Sequence, residues 1–314
     1  MKKLVTMILV VCLLLATVCG ALAEEKKVIA LCVAQVSNEF QSRIKDAMEK
    51  YAEDNGLNDK YEFTVFDANF DTAKQLEQVE NAIGQGAAGV VMIPVDMKGS
   101  VPAVQACLDA GVPVVGCNSD IEDNTLFDCY VGSDTVDSGH IEMQALAEAM
   151  GGEGKLVEME GNYGESPQIL RDQGIRDIVE QYPDIEIVYN DTGKWSRDEA
   201  KTKMENWIMQ GLMDDAKAVV CHNDAMAVGC MMALEENGMN DILIAGIDAN
   251  ADMLGYLKEG RVAVTVFQNA AGQGEGAIKA VVDLVEGKEV PQFDWIPYEL
   301  VTVETADDYL ALLG

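Results

Sequence analysis

The sequence predicts an α/β protein with two doubly wound, parallel sheets. Three observations lead there. Short β-rich runs alternate with helical stretches along the whole chain. Many of those runs are apolar throughout, as befits strands covered on both faces. They fall into two sets of five in a chain of 314 residues, room for two domains at roughly 150 residues each. Pattern alone also permits one closed α/β barrel.

The first five strands are expected at 28–34, 63–68, 89–95, 113–118 and 129–133. The second five are expected at 155–161, 185–191, 218–224, 242–248 and 262–268. Helices with a 3.6-residue apolar period lie between them, at 43–51, 72–83, 140–150, 168–181, 197–210, 226–237 and 274–286. In the first helix Ile44, Ala47, Met48 and Tyr51 share one face. No low-complexity linker divides the two sets.

The first 23 residues read as a secretory signal peptide. Lys2 and Lys3 precede an apolar run over 4–15, and Ala21-Leu22-Ala23 supplies a small-x-small cleavage site. The run is short for a spanning helix of ~20 residues. A lipoprotein signal centred on Cys19 is disfavoured by the bulky Val18 before it. Six further cysteines lie in the rest of the chain, several inside apolar runs, and are expected to be small buried hydrophobes.

Charge narrows the function. Fifty-four acidic side chains face 22 basic ones, a net charge of −32. Binding to nucleic acid or to an anionic membrane needs a basic face, so both are disfavoured. Hydrophobic residues make up 49% and charged ones 24%, ordinary globular values. Two histidines and no CxxC pair give zinc sites and histidine triads little support. No metal is expected, since no D-x-[DN]-x-[DN]-G run occurs, and no cofactor either.

Two glycine-rich stretches mislead. Gly84-Gln85-Gly86-Ala87-Ala88-Gly89 matches a dinucleotide fingerprint but precedes a strand, where the fingerprint must follow one. Gly272-Gln273-Gly274-Glu275-Gly276 opens a helix but lacks both the spacing and a basic neighbour.

Polar residues gather at the carboxyl ends of the strands, where open parallel sheets bind ligands. Helix capping explains many, Asp71 and Asp134 above all. Asn118, Asn223 and Gln268 fit capping less well, and their amides offer both donors and acceptors. Phe40 and Trp195 are expected in loops at the same level.

Ordered motifs then make a resemblance specific. These are Asn38-Glu39-Phe40 after the first strand, the run 113–119, Arg171, His222-Asn223-Asp224-Ala225-Met226-Ala227, Ala245-Gly246-Ile247-Asp248-Ala249 and Ala263-Val264-Thr265-Val266-Phe267-Gln268. Over 26–304 the chain resembles the periplasmic sugar-binding proteins of ABC transporters, in the ribose/galactose-binding family. Trp195-Ser196-Arg197-Asp198-Glu199-Ala200 looks closest to members that bind inositol-like cyclitols.

The resemblance implies the type I periplasmic binding protein fold. Residues 24–132 plus 267–294 would form an N-terminal lobe, and 133–266 plus 295–314 a C-terminal lobe. Three crossings would lie near 132–134, 265–268 and 294–296. Phe40 and Trp195 would sandwich a sugar or cyclitol ring. Asn38, Asn118, Ser119, Asn223 and Gln268 would hydrogen-bond its hydroxyls, and Arg171 and Asp248 would add charge-assisted bonds. A lone helical Arg is more often solvated, so Arg171 rests on the resemblance alone. Ser119 stands where ribose and galactose binders carry Arg or Lys, and Gln41 replaces a second aromatic. Asn118 and Ser119 therefore describe a more neutral pocket, which argues against ribose itself.

The implied protein is an exported, monomeric, non-enzymatic binding component, in the periplasm or on the outer face of the cytoplasmic membrane. Its partners would be a small neutral sugar or cyclitol and a membrane-embedded permease. A secreted enzyme is disfavoured because His140 and His222 have no obvious partners. A sugar-responsive repressor would carry an N-terminal DNA-binding segment in place of a signal peptide. A role beside a chemoreceptor or sensor kinase fits equally well, and pull-downs would separate it from transport.

Overall fold

The computed structural model describes residues 25–313. The signal segment and Cys19 lie outside those residues. The chain first lays down β1 (Lys27–Val33), α1 (Glu39–Asp54), β2 (Tyr61–Asp67), α2 (Thr72–Gly84), β3 (Gly89–Met92), α3 (Val101–Ala110), β4 (Val114–Cys117) and β5 (Cys129–Gly132). A second run follows: α4 (Thr135–Ala149), β6 (Glu153–Glu160), α5 (Ser166–Val179), β7 (Asp184–Thr192), α6 (Arg197–Met209), β8 (Ala216–Cys221), α7 (Asp224–Glu236), β9 (Leu243–Asp248), α8 (Ala251–Lys258) and β10 (Val264–Phe267). Last come α9 (Ala270–Val285), β11 (Phe293–Trp295), β12 (Glu299–Val301) and α10 (Ala306–Leu313).

Two six-stranded sheets result, ordered β11-β5-β4-β3-β1-β2 and β12-β10-β9-β8-β6-β7. All pairs are parallel except β10 with β12. Helices cover both faces, so the inner strands are apolar on both sides, whereas the edge strands β2, β7, β11 and β12 are partly exposed. On β1, Ile29, Leu31 and Val33 join one core and Ala30 and Cys32 the other. The two sheets are open, each ending in edge strands, which excludes the single closed barrel.

The chain crosses between the lobes three times. β5 lies in the first sheet, whereas the following α4 packs on α5, β9 and β10. β10 lies in the second sheet, yet α9 returns to pack on α1, β3, β4 and β5. β11 then pairs with β5, and β12 with β10.

Several elements differ from the sequence expectation. α1 starts at Glu39, not at 43, because Asn38 caps it and its first turn buries Phe40 and Gln41. Phe40 is therefore helical and not in a loop. α3, α8, α10, β11 and β12 were not expected; α8 and α10 have only eight residues each and each of the two strands only three, too few for a period to register. Gly84-Gln85-Gly86 ends α2, with Gly86 in the left-handed region at φ 85°, as a helix-ending turn requires. Cys32, Cys107, Cys117, Cys129, Cys221 and Cys230 are all buried and unbridged. Among the described residues no helix is long and apolar enough to cross a membrane.

Candidate ligand site between the lobes

Each sheet has the strand order 2-1-3-4-5 in its five principal strands, whose ligand crevice opens at the carboxyl ends. The two crevices face one another. Between them lies about 370 Å3 of space free of protein atoms, partly open to solvent. All ten residues singled out in the sequence line it, together with Glu165 and Pro167.

The N-terminal lobe contributes Asn38, Phe40, Gln41, Asn118 and Ser119. Asn38 caps α1, its Oδ1 accepting from the Gln41 N–H at 3.0 Å. Gln41 Oε1 accepts from the Gln35 N–H at 2.8 Å and so fixes the loop after β1. Phe40 is 7% exposed, with the Arg43 guanidinium 5.1 Å from its ring centre. Asn118 takes a left-handed φ of 67°, and its Nδ2 donates to Gln273 Oε1 at 3.0 Å. Asn tolerates that conformation better than most residues.

The C-terminal lobe contributes Arg171, Trp195, Asn223 and Asp248, with Gln268 beside the second crossing. Arg171 is buried and lines the cavity, so it is not the solvated helical charge that a lone Arg more often is. Gln168, Arg171, Ile175 and Ile178 are all buried on the inward face of α5. Its Nη1 donates to the His222 carbonyl and its Nη2 to Gln268 Oε1 at 2.9 Å. Arg171 thus bridges the end of β8 to Gln268 after β10 within the same lobe. Asn223, expected to be poorly suited to capping, caps α7 through Oδ1 to the Met226 N–H at 3.0 Å. The cap uses only the oxygen and leaves the amide NH2.

Asp248 ends β9 with φ 127° and is 2% exposed. Burial pushes its carboxyl up to about 6, against the pull of the Arg171 and Arg43 charges. Trp195 sits in the loop before α6, where Lys194 and Trp195 have φ of 55° and 58°. Its Nε1 donates to Glu165 Oε2 at 2.9 Å, and the Arg171 guanidinium lies 5.7 Å from its ring centre.

Glu165 was missed in the sequence, five residues past the end of β6. Its position just before Pro167 and a helix was the available signal. The cleft therefore holds one more carboxyl than the sequence reading allowed. Burial, together with the Asp96 charge, pushes that carboxyl up to about 8.

Both histidines have carboxylate partners, contrary to expectation. His140 Nε2 lies 3.1 Å from Asp177 and His222 Nε2 2.9 Å from Glu158. Neither histidine lines the cavity, and the Gly161 N–H donates to His222 Nδ1 at 3.3 Å. Burial and the Arg171 charge hold His222 down to about 3, so it is neutral. The carboxylates of Glu158, Glu160 and Asp172 cluster nearby. Arg176, Gln168 and Asn190 engage them, which makes the cluster a support beneath the cleft floor. At the mouth the lobes touch: the Asp120 N–H donates to Ser166 Oγ at 2.7 Å and the Met97 N–H to the Gly164 carbonyl at 3.2 Å.

Residues 29–289 match the family model described as periplasmic binding protein domain. The chain belongs to that family. Among curated periplasmic binding proteins it is 34% identical to the xylitol-binding protein of Mycolicibacterium smegmatis, over 87% of this chain and 78% of that one. It is 32% identical to the ribose import binding protein of Bacillus subtilis, over 96% of this chain and 99% of that one. A crystal structure of an ABC transporter solute binding protein from Bacillus halodurans C-125 with bound myo-inositol superimposes with a TM-score of 0.86. The two are 36% identical, over 91% of this chain and 98% of the other. Within the family the chain thus falls among sugar- and cyclitol-binding solute-binding proteins, which are not enzymes.

Proposed function

We propose that this chain is the extracytoplasmic binding component of an ABC importer and takes a neutral monosaccharide or cyclitol of the inositol kind. One observation carries the reading. The cavity sets the apolar ring of Phe40 on one lobe and that of Trp195 on the other, with amides, Arg171 and Asp248 between them. Rings present C–H faces to a polyol, and the amides and charges meet its hydroxyls. Unpaired groups in such a site cost about 1–3 kcal/mol each, which rejects the wrong epimer.

Domain closure is the established behaviour of this class of proteins. A ligand touching both lobes binds the closed form better and shifts the population toward it. A membrane-embedded permease would then read the paired lobe surfaces of a monomeric, exported binding protein. The −32 charge would lie mostly on the outside of the molecule and keep it soluble.

The test is a thermal-shift screen over myo-inositol, ribose, xylitol and hexoses, followed by calorimetry. A true ligand at 100 times its Kd should stabilise the protein by about 2.7 kcal/mol. No shift with any polyol, or turnover of one, would overturn the reading.

A further inference from the structure

We propose that Glu165 is a positioning residue that acts through Trp195, fixing the edge of the indole so that its face closes over the cavity. The proposal rests on the polyol reading of the cavity for its binding consequence only.

Glu165 directly precedes α5 yet makes no side-chain cap to it. Its two oxygens are used elsewhere. Oε2 accepts from Trp195 Nε1 at 2.9 Å and Oε1 from Asn162 Nδ2 at 2.9 Å. The residue is 8% exposed and lines the cavity. The backbone under the indole is left-handed at two successive residues, a conformation bulky side chains rarely adopt. The turn itself is held by Ser196 N–H to the Gly193 carbonyl at 3.0 Å and Lys194 N–H to Thr192 Oγ1 at 3.1 Å. Neither bond sets the ring. An indole has a single N–H donor, and Glu165 takes it.

The groups around this carboxyl make the bond readable. Asp96 faces it from the opposite lobe, and its charge adds to burial in pushing Glu165 up to about 8. Arg171 shares the cavity from the same helix. His222, with ring centres 6.2 Å apart from Trp195, stays neutral throughout that range. Ionisation of Glu165 turns its bond to the indole into a charge-assisted one, which is stronger.

The decisive experiment uses the ligand-free protein labelled with 15N-tryptophan, which shows three indole resonances, one per Trp. The Trp195 resonance is assigned by its absence in W195F. It should move downfield with a midpoint near pH 8, and E165Q should abolish the titration while keeping an acceptor for the N–H. A resonance unmoved between about pH 6 and 9.5, or one that titrates equally in E165Q, overturns the proposal. The second arm measures myo-inositol affinity. E165A and W195F should each lose about tenfold or more, the double variant no more than the worse single, and E165Q should recover most of the E165A loss. Additive losses overturn the proposal. If the wild type binds no polyol, the cavity reading fails, and the resonance still decides the role of Glu165.

Discussion

Gly161 ends the strand–loop junction beneath Trp195, and replacing it with alanine gives a sharp test of the cleft. A Cβ at this position would lie 1.9 Å from Trp195 Cζ2. Carbon atoms settle at about 3.5 Å, so the ring must retreat by about 1.6 Å. Trp195 lines the cavity and Gly161 does not, so the ring moves into the ligand space. One indole face is roughly 50 Å2 of the 150–250 Å2 that such rings bury, so the advance removes about 80 Å3. It also strains the 2.9 Å bond to Glu165. A snug polyol would lose one ring contact and part of its hydroxyl registration, together about 2–3 kcal/mol, or a 30- to 150-fold rise in Kd. The backbone of Gly161 is not left-handed, so alanine itself is compatible with the fold. The assay is titration calorimetry of Gly161→Ala against wild type with myo-inositol, or with whichever polyol gives the largest thermal shift. Affinity within threefold of wild type, at unchanged melting temperature, would refute the placement of Trp195 over the ligand.

Two further outcomes test the interior. Glu142 on α4 is fully buried with both carboxyl oxygens unpartnered, and burial holds it well above the usual carboxylate range. It is thus neutral when folded and ionises when unfolded, so stability is present at low pH and falls as pH rises above about 4.5. Glu142→Gln cannot ionise, and in urea melts between pH 5 and 8 it should gain on the wild type by up to ~1.4 kcal/mol per pH unit; parallel slopes would sink the argument. The six described cysteines are buried, with burial pushing Cys107 up to about 12 and Cys129 up to about 11. They should resist iodoacetamide in the native protein and label fully in denaturant, as read by peptide mass spectrometry. Rapid native labelling, or a bridge between Cys221 and Cys230, would contradict the packing.

The fold was legible where burial repeats. Strands such as β1 and β9 are apolar on both faces, and that property needs two covering helix layers. The strands at the third crossing carried no such signal, because β11 and β12 pair over only three residues each. The site was legible where chemistry and position coincide, at Asp248 after an apolar run and at Gln268 after β10. Single-role reasoning failed at Asn223, where one amide both caps α7 and lines the cleft. Arg171 was legible only through the family resemblance, because no local pattern shows that a helix face carrying an Arg turns inward. Glu165 escaped for a related reason: its partner Trp195 lies thirty residues away in the sequence, and only the folded loops bring them together.

The triple crossing also dictates the order in which this molecule can assemble. Helix α1 emerges from the ribosome early, but the helix it packs against, α9, spans Ala270–Val285, and Gly274 there meets the Ile44 carbonyl so closely that a Cβ would sit 2.6 Å from it. The first lobe cannot complete its own core until nearly the whole chain has been synthesised. Its edge strand β11 comes later still. Such distant pairings raise contact order and slow folding. The first lobe therefore remains incompletely folded through most of the chain's synthesis, whereas β6 to β10 of the second lobe follow one another without interruption.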